Sequence, residues 1–139
     1  MNITKTLIFQ MAFAAVVATC VLAADAPLNS DKADPVRHVD PKGAEQLVSA
    51  KKVVVLDIRT PGEFKTGRIA GAKNLDFQAP DFEQRIKELD KSKSYLVHCA
   101  GGGRSSQSLT LFKKYHFESI YHLDGGLKAW QKAGLPVEK

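Results

Sequence analysis

Cysteine is scarce in this chain of 139 residues, which has two, Cys20 and Cys99. Two thiols cannot build a disulfide framework or a multi-thiolate zinc site. Basic clusters are also missing. Twenty Lys and Arg against fifteen Asp and Glu give a net charge of +5, but the basic residues are scattered, with doublets only at Lys51-Lys52 and Lys113-Lys114. A nucleic-acid protein of this size would concentrate such charge on one face. The charge therefore reads as solvated surface that can still draw small anions toward a pocket. There is no internal repeat and no low-complexity tract. Apart from a short N-terminal stretch, no apolar run approaches the length of a membrane span. What remains, 44% hydrophobic and 25% charged residues, fits one globular domain.

The first two dozen residues read as a targeting segment. A start carrying only Lys5, an apolar stretch from Leu7 to Val17 and small residues through Ala23-Ala24 describe a secretory signal peptide over residues 1–23. Cleavage is expected after Ala23 or Ala24. Two alternatives are an uncleaved anchor and lipidation of Cys20 in Val17-Ala18-Thr19-Cys20, although Thr19 suits a lipidated cysteine poorly. Export implies a periplasmic or secreted protein with no stable membrane span after cleavage. It also leaves one thiol, Cys99. In an oxidising compartment such a lone thiol is either buried and inert or kept for its reactivity. Residues 24–35, with two prolines and few apolar side chains, read as a flexible leader.

From residue 36 onward the pattern becomes that of a folded unit. Asp40-Pro41 offers an N-cap with proline at the first helical position, and Ala44, Leu47 and Val48 supply that helix's buried stripe. Val53-Val54-Val55-Leu56 is a short β-branched run typical of a strand covered on both faces. Ala72 to Leu75 is a second short strand. Phe82, Ile86 and Leu89 recur at helical spacing. Tyr95-Leu96-Val97 is another strand, followed by Cys99, three glycines and a helical stretch from Arg104 to Tyr115. Ile120 to Leu123 is the last strand, broken by Gly125-Gly126 before a helix through Trp130 that ends at Gly134-Leu135-Pro136. Strands alternating with helices predict an α/β domain over 36–139, a central, mostly parallel sheet flanked by helices.

In open α/β sheets, sites lie beyond the carboxyl ends of strands. Cys99 stands at such an end and opens the tight loop Cys99-Ala100-Gly101-Gly102-Gly103-Arg104-Ser105. Consecutive glycines can take positive φ and aim successive N–H groups at one centre. The following helix start adds partial positive charge, and Arg104 adds a full one. All three are expected to lower the Cys99 pKa and to cradle an anion with Ala100, Gly101, Gly102, Gly103, Arg104 and Ser105. The bland alternative is a buried structural cysteine beside a flexible turn.

Cys99-X4-Arg104-Ser105 resembles the active-site loop of the rhodanese-like sulfurtransferases. Two further segments carry the resemblance. One is Leu56 to Phe64 continued by Gly67 to Leu75; the other is Leu123-Asp124-Gly125-Gly126-Leu127-Lys128-Ala129-Trp130 with Gly134-Leu135-Pro136-Val137. The resemblance covers about residues 36–137. The resemblance implies an enzyme of the thiosulfate sulfurtransferase type in which the Cys99 thiolate takes a sulfane sulfur from a small anionic donor. The Cys99 persulfide then passes it to cyanide or a thiol, with no metal or organic cofactor. A monomer is the simplest expectation. Arg68 departs from the family's usual His, and His116 replaces a usual helix-ending Gly, so that it is expected to take a left-handed conformation. Whether Arg104 faces the sulfur or braces the loop is left open.

Other candidates read as structural. Asp57 and Arg59 look like an ion-pair set near a strand end, and so does Glu63. His98 should point to the face opposite Cys99 and pack there. His38, His116 and His122 show no ligand spacing along the chain, and no metal is assigned. Trp130 with Leu127 and Leu135 reads as core. Ser105 and Ser106 are first-turn residues for which capping is the default, although Ser105 could also bond the sulfur. Two competing functions stay in view: a persulfide carrier or sensor fed by a protein partner, and a cysteine phosphatase. The latter's loops usually hold five residues between Cys and Arg rather than the four seen here.

Overall fold

The computed structural model describes residues 33–139. The signal-peptide assignment and most of the leader therefore lie outside the described residues. Five strands form one sheet: β1 (Val36–Val39), β2 (Val54–Asp57), β3 (Lys73–Asn74), β4 (Ser94–His98) and β5 (Ser119–Leu123). Their spatial order is β1-β5-β4-β2-β3, and every pairing is parallel. The helices are α1 (Pro41–Ser49), α2 (Pro61–Thr66), α3 (Phe82–Lys87), α4 (Gly103–Lys114) and α5 (Gly126–Lys132). None is long and apolar enough to cross a membrane.

The α/β architecture is as expected, and parallel strands explain why the strand segments read as continuous apolar runs. Both faces of the sheet are covered, so alternate residues are all buried, on opposite sides. Leu56, Tyr95, Val97, Cys99 and Ile120 share one layer with Phe82 and Ile86 of α3 and Leu109 and Phe112 of α4. Val55, Leu96 and Leu123 share the other with Ala44 of α1 and Leu127 and Trp130 of α5. In the first layer Phe117 meets both Phe112 and Tyr95 edge-on, with centroids 5.0 and 5.7 Å apart. Each fully buried aliphatic or aromatic side chain contributes about 1.5–3 kcal/mol.

Two elements went unread in the sequence. β1 had been absorbed into the approach to α1, because its burial is partial and only Val36 and Val39 face inward. It pairs with β5, and the carbonyl of Pro35, just ahead of β1, accepts the N–H of Ile120 in β5 at 2.9 Å. α2 carries a full capping box: Thr60 Oγ1 accepts the Glu63 N–H at 3.3 Å, and Glu63 Oε2 accepts the Thr60 N–H at 3.1 Å. Thr60-Pro61-Gly62-Glu63 is a readable signal of that kind. The Asp40 cap is as predicted, with Oδ1 accepting the Gly43 N–H at 2.8 Å. β3 is shorter than the expected Ala72–Leu75.

His116 takes φ +59°, the left-handed conformation expected of it. It sits one residue past the C-cap of α4, where its N–H bonds the Lys113 carbonyl and the Phe117 N–H bonds the Phe112 carbonyl. That double bond pattern closes the helix in a Schellman motif. Arg68 is engaged by the C-terminal residues and by Phe64. It pairs with Glu138 at 3.3 Å, donates to the Lys139 carbonyl at 3.0 Å and covers the Phe64 ring.

Candidate active site

β4 delivers Cys99 to the carboxyl edge of the sheet, one residue past its last hydrogen-bonded position. The loop then turns through Gly102, whose φ of +100° places it in the left-handed region, and α4 begins at Gly103 without a side-chain cap. Its first N–H groups are thus left for another acceptor, and the cysteine sulfur provides it. The Gly102 N–H lies 3.1 Å from Sγ, and the Ser105 hydroxyl lies 3.5 Å from it. Burial pushes the thiol pKa up, but the Ser105 hydroxyl and the N–H groups of Ser105, Gly102 and Gly101 together bring it below the ordinary thiol value. Those groups hydrogen-bond the thiolate form, and this favours it.

Seven of the sequence-chosen residues, Cys99 through Ser105, thus form one turn around the sulfur, with unequal parts. Gly101, Gly102 and Ser105 supply the donors. Above Gly101 and Gly103 a Cβ would meet nothing within 4 Å, so open space adjoins the loop at these two positions. Arg104 braces. Its guanidinium forks onto Glu63 of α2, at 2.9 Å from Oε2 and 2.7 Å from Oε1. This pairing, chiefly the hydrogen bonds from Arg104, pulls Glu63 down to about 2. Glu63 also raises the Arg104 pKa, with a smaller contribution from the Cys99 sulfur. The full positive charge expected to act on the thiolate is therefore largely taken up by a carboxylate. The backbone and Ser105 lead in holding the sulfur.

The loop also has a floor that was not read from the sequence beyond its role as a strand break. Gly125 and Gly126 both take positive φ, and α5 starts directly beneath the cysteine. The Leu127 N–H bonds the Cys99 carbonyl and the Lys128 N–H bonds the Ala100 carbonyl, both at 2.9 Å. A Cβ on Gly126 would lie 2.5 Å from the Cys99 carbonyl oxygen. Only glycine permits this contact.

Asp57 and Arg59 form the ion pair anticipated for them. Asp57 is fully buried, and Arg59 Nε lies 2.9 and 3.0 Å from its two oxygens. Arg59 also donates to the Gly67 carbonyl at 2.7 Å, which ties β2 to the segment after α2. His98 packs on the face away from Cys99. It is wholly buried, its pKa is lowered by that burial, and among the described residues its Nε2 has no hydrogen-bond partner.

His122 was the histidine least visible as a site residue. It lies on β5 with its ring turned toward α4, and its Nε2 is 2.9 Å from Ser105 Oγ. Its Nδ1 is 3.1 Å from Asp124 Oδ1 and 3.2 Å from His38 Nδ1. Chain spacing gave no hint of this group because His38 and His122 are 84 residues apart. They become neighbours through the register of β1 on β5, in which His38 pairs directly with His122.

Known proteins share this arrangement of elements. Residues 40–133 match the family described as rhodanese-like domain. The thiosulfate sulfurtransferase GlpE of Vibrio cholerae is 30% identical over 105 residues, covering 76% of this chain and 97% of that protein. A sulfurtransferase of Allochromatium vinosum is 30% identical over 103 residues, 73% of this chain and 94% of the relative. A tRNA uridine(34) hydroxylase of Cytophaga hutchinsonii is 34% identical over 94 residues, but the match spans only 30% of that longer protein. Among solved structures, a rhodanese-related protein from Thermoplasma volcanium superposes with a TM-score of 0.67 at 28% identity, over 73% of this chain and 97% of that one. This chain belongs to the rhodanese-like domain family.

Proposed function

We propose that this protein is a sulfurtransferase of the thiosulfate type, working through a persulfide on Cys99. The observation that carries the reading is the ring of donors on one sulfur: the Gly101, Gly102 and Ser105 N–H groups and the Ser105 hydroxyl, all favouring a thiolate. The thiolate attacks the outer sulfur of thiosulfate. A Cys99 S–S bond forms, the donor's S–S bond breaks, and sulfite leaves with that electron pair. The terminal sulfur of the persulfide carries the negative charge in the cradle, where fixed dipoles need no reorganisation. An acceptor thiolate or cyanide then attacks this outer sulfur, giving an acceptor persulfide or thiocyanate and restoring the Cys99 thiolate. The open space at Gly101 and Gly103 suits small anionic donors and acceptors. The full-length match to sulfurtransferases of similar size supports the same reading.

Export to the periplasm or beyond is part of the proposal and rests on the pattern of residues 1–23. The phosphatase alternative is disfavoured because the Arg104 fork is already on Glu63. A phosphate-binding loop would need that fork for the substrate.

The test is intact mass of the mature protein before and after thiosulfate, beside Cys99→Ser. A gain of one sulfur, discharged by cyanide and absent from the variant, is the expected outcome. No gain on reduced, folded protein would remove thiosulfate as donor and favour a carrier loaded by a partner protein.

A further inference from the structure

We propose that His38, His122 and Asp124 form a binding site for one divalent transition-metal ion of the zinc class, placed beside the cysteine loop but not using its thiol. His38 Nδ1, His122 Nδ1 and Asp124 Oδ1 converge on one point, with mutual separations of 2.8, 3.1 and 3.2 Å. Around a tetrahedral ion with bonds of about 2.0–2.1 Å, donor atoms stand about 3.3 Å apart. The three atoms therefore need to spread by only a few tenths of an ångström to hold one.

The sheet fixes the positions from which these side chains reach. His38 and His122 are direct partners in the parallel β1–β5 ladder, and the Asp124 N–H is bonded to the Val39 carbonyl at 3.0 Å. Donors carried on hydrogen-bonded strands are held more closely than donors on loops.

Proton counting also favours a cation. The Ser105 hydroxyl has one hydrogen, which goes to the Cys99 sulfur at 3.5 Å or to the Gly102 carbonyl at 3.0 Å and in either case not to His122. Its contact with His122 Nε2 at 2.9 Å is then an N–H donated to Ser105 Oγ. That sets the His122 tautomer and turns a bare Nδ1 lone pair toward Asp124 and His38. The one hydrogen that His38 Nδ1 can offer serves a single contact well and leaves lone pairs facing each other elsewhere in the triangle. A bound cation satisfies all three donors at once. An imidazole ligand whose second nitrogen donates to a fixed oxygen is the usual outer support of a metal-binding histidine.

Two nitrogens and one carboxylate suit zinc or copper(II) better than magnesium or calcium. His122 is 3% exposed, while His38 and Asp124 are 58% and 55% exposed. The ion would thus be held from beneath by the buried ring, with its remaining position turned to solvent and open to water or an anion.

The experiment uses untagged protein carrying Cys99→Ser together with Cys20→Ser, so that no thiolate can contribute and the result is independent of sulfur transfer. Zn²⁺ is titrated by calorimetry, and Co²⁺ by visible absorption. The expected result is one equivalent bound, with cobalt bands of a nitrogen–oxygen site and no sulfur charge-transfer band. Affinity should fall at least tenfold in the His38→Ala and Asp124→Asn versions. Both side chains are more than half exposed, and circular dichroism checks that the variants fold. Absence of binding to the folded protein carrying Cys20→Ser and Cys99→Ser, or equal binding after His38→Ala and Asp124→Asn, would overturn the proposal.

Discussion

α4 and α5 begin in the same way and use the beginning differently. Each follows a left-handed glycine, Gly102 at φ +100° and Gly125 at φ +73°, and neither has a side-chain cap. Each therefore presents free N–H groups to whatever lies ahead of it. At α5 those groups are consumed by the Cys99 and Ala100 carbonyls. At α4 the Ser105 N–H, with the Gly101 and Gly102 N–H groups just ahead of the helix, serves the Cys99 sulfur. One helix start holds the loop's backbone still, and the other stabilises charge on its side chain. A capped α4 would have satisfied the same groups internally and left the thiolate with less support. In the proposed reaction the missing cap at α4 serves the thiolate, whereas the missing cap at α5 serves the loop's backbone.

The comparison breaks most completely at α5. Gly126→Ala puts a methyl 2.5 Å from the Cys99 carbonyl oxygen and 2.9 Å from the Ala100 carbonyl carbon. Both obstacles are backbone, and the left-handed conformation at φ +59° adds about 1–2 kcal/mol for any residue with a Cβ. The expected cost is about 3 kcal/mol or more in urea unfolding, together with loss of sulfur loading by mass. Gly134→Ala is the control, since φ is +75° there but a Cβ meets nothing within 4 Å. It should cost only the conformational part and leave loading intact.

At α4 the change is milder, although Ser105 Oγ also meets the Gly102 carbonyl and His122 Nε2. Ser105→Ala removes a hydroxyl 3.5 Å from the sulfur from a helix whose backbone stays in place. The thiolate loses a donor, so the Cys99 pKa rises and the pH profile of iodoacetamide alkylation moves toward higher pH. Losing one hydrogen bond of about 1 kcal/mol corresponds to a drop of about fivefold in loading rate at neutral pH. An unshifted alkylation profile would show that the N–H groups alone set the thiol's acidity.

The fold was legible wherever local patterning and burial agreed. Val53 to Leu56 and Tyr95 to Val97 announce themselves because a sheet covered on both faces needs unbroken apolar runs. The proposed nucleophile was legible because one loop carries the cysteine and its glycine turn in sequence. Apart from α2, whose capping box is local, the features that escaped notice depend on a partner distant in the chain. Arg104 reads as a charge for the thiolate until Glu63, 41 residues away, takes its fork. His122 reads as a strand residue until β1 brings His38 beside it. Gly126 reads as a strand break until α5 docks beneath Cys99. Long-range pairing made these contacts, and composition and periodicity carry no record of it.

The far end of α4 gives the smallest effect and the cleanest contrast with its beginning. There the last carbonyls are closed by backbone, with Phe117 packed edge-on to Phe112. The junction residue His116 is exposed and holds φ +59°. A left-handed residue with a Cβ costs about 1–2 kcal/mol, while glycine gives back part of that by loosening the unfolded chain. His116→Gly should therefore stabilise by about 0.5–1 kcal/mol, read as a higher urea midpoint with unchanged slope. Because this end makes no contact with the sulfur, the Cys99 alkylation profile and the extent of sulfur loading should stay where they were. A gain in stability accompanied by altered thiol reactivity would mean that the two ends of α4 are coupled through the helix, and that the division of labour between them is less sharp than the geometry indicates.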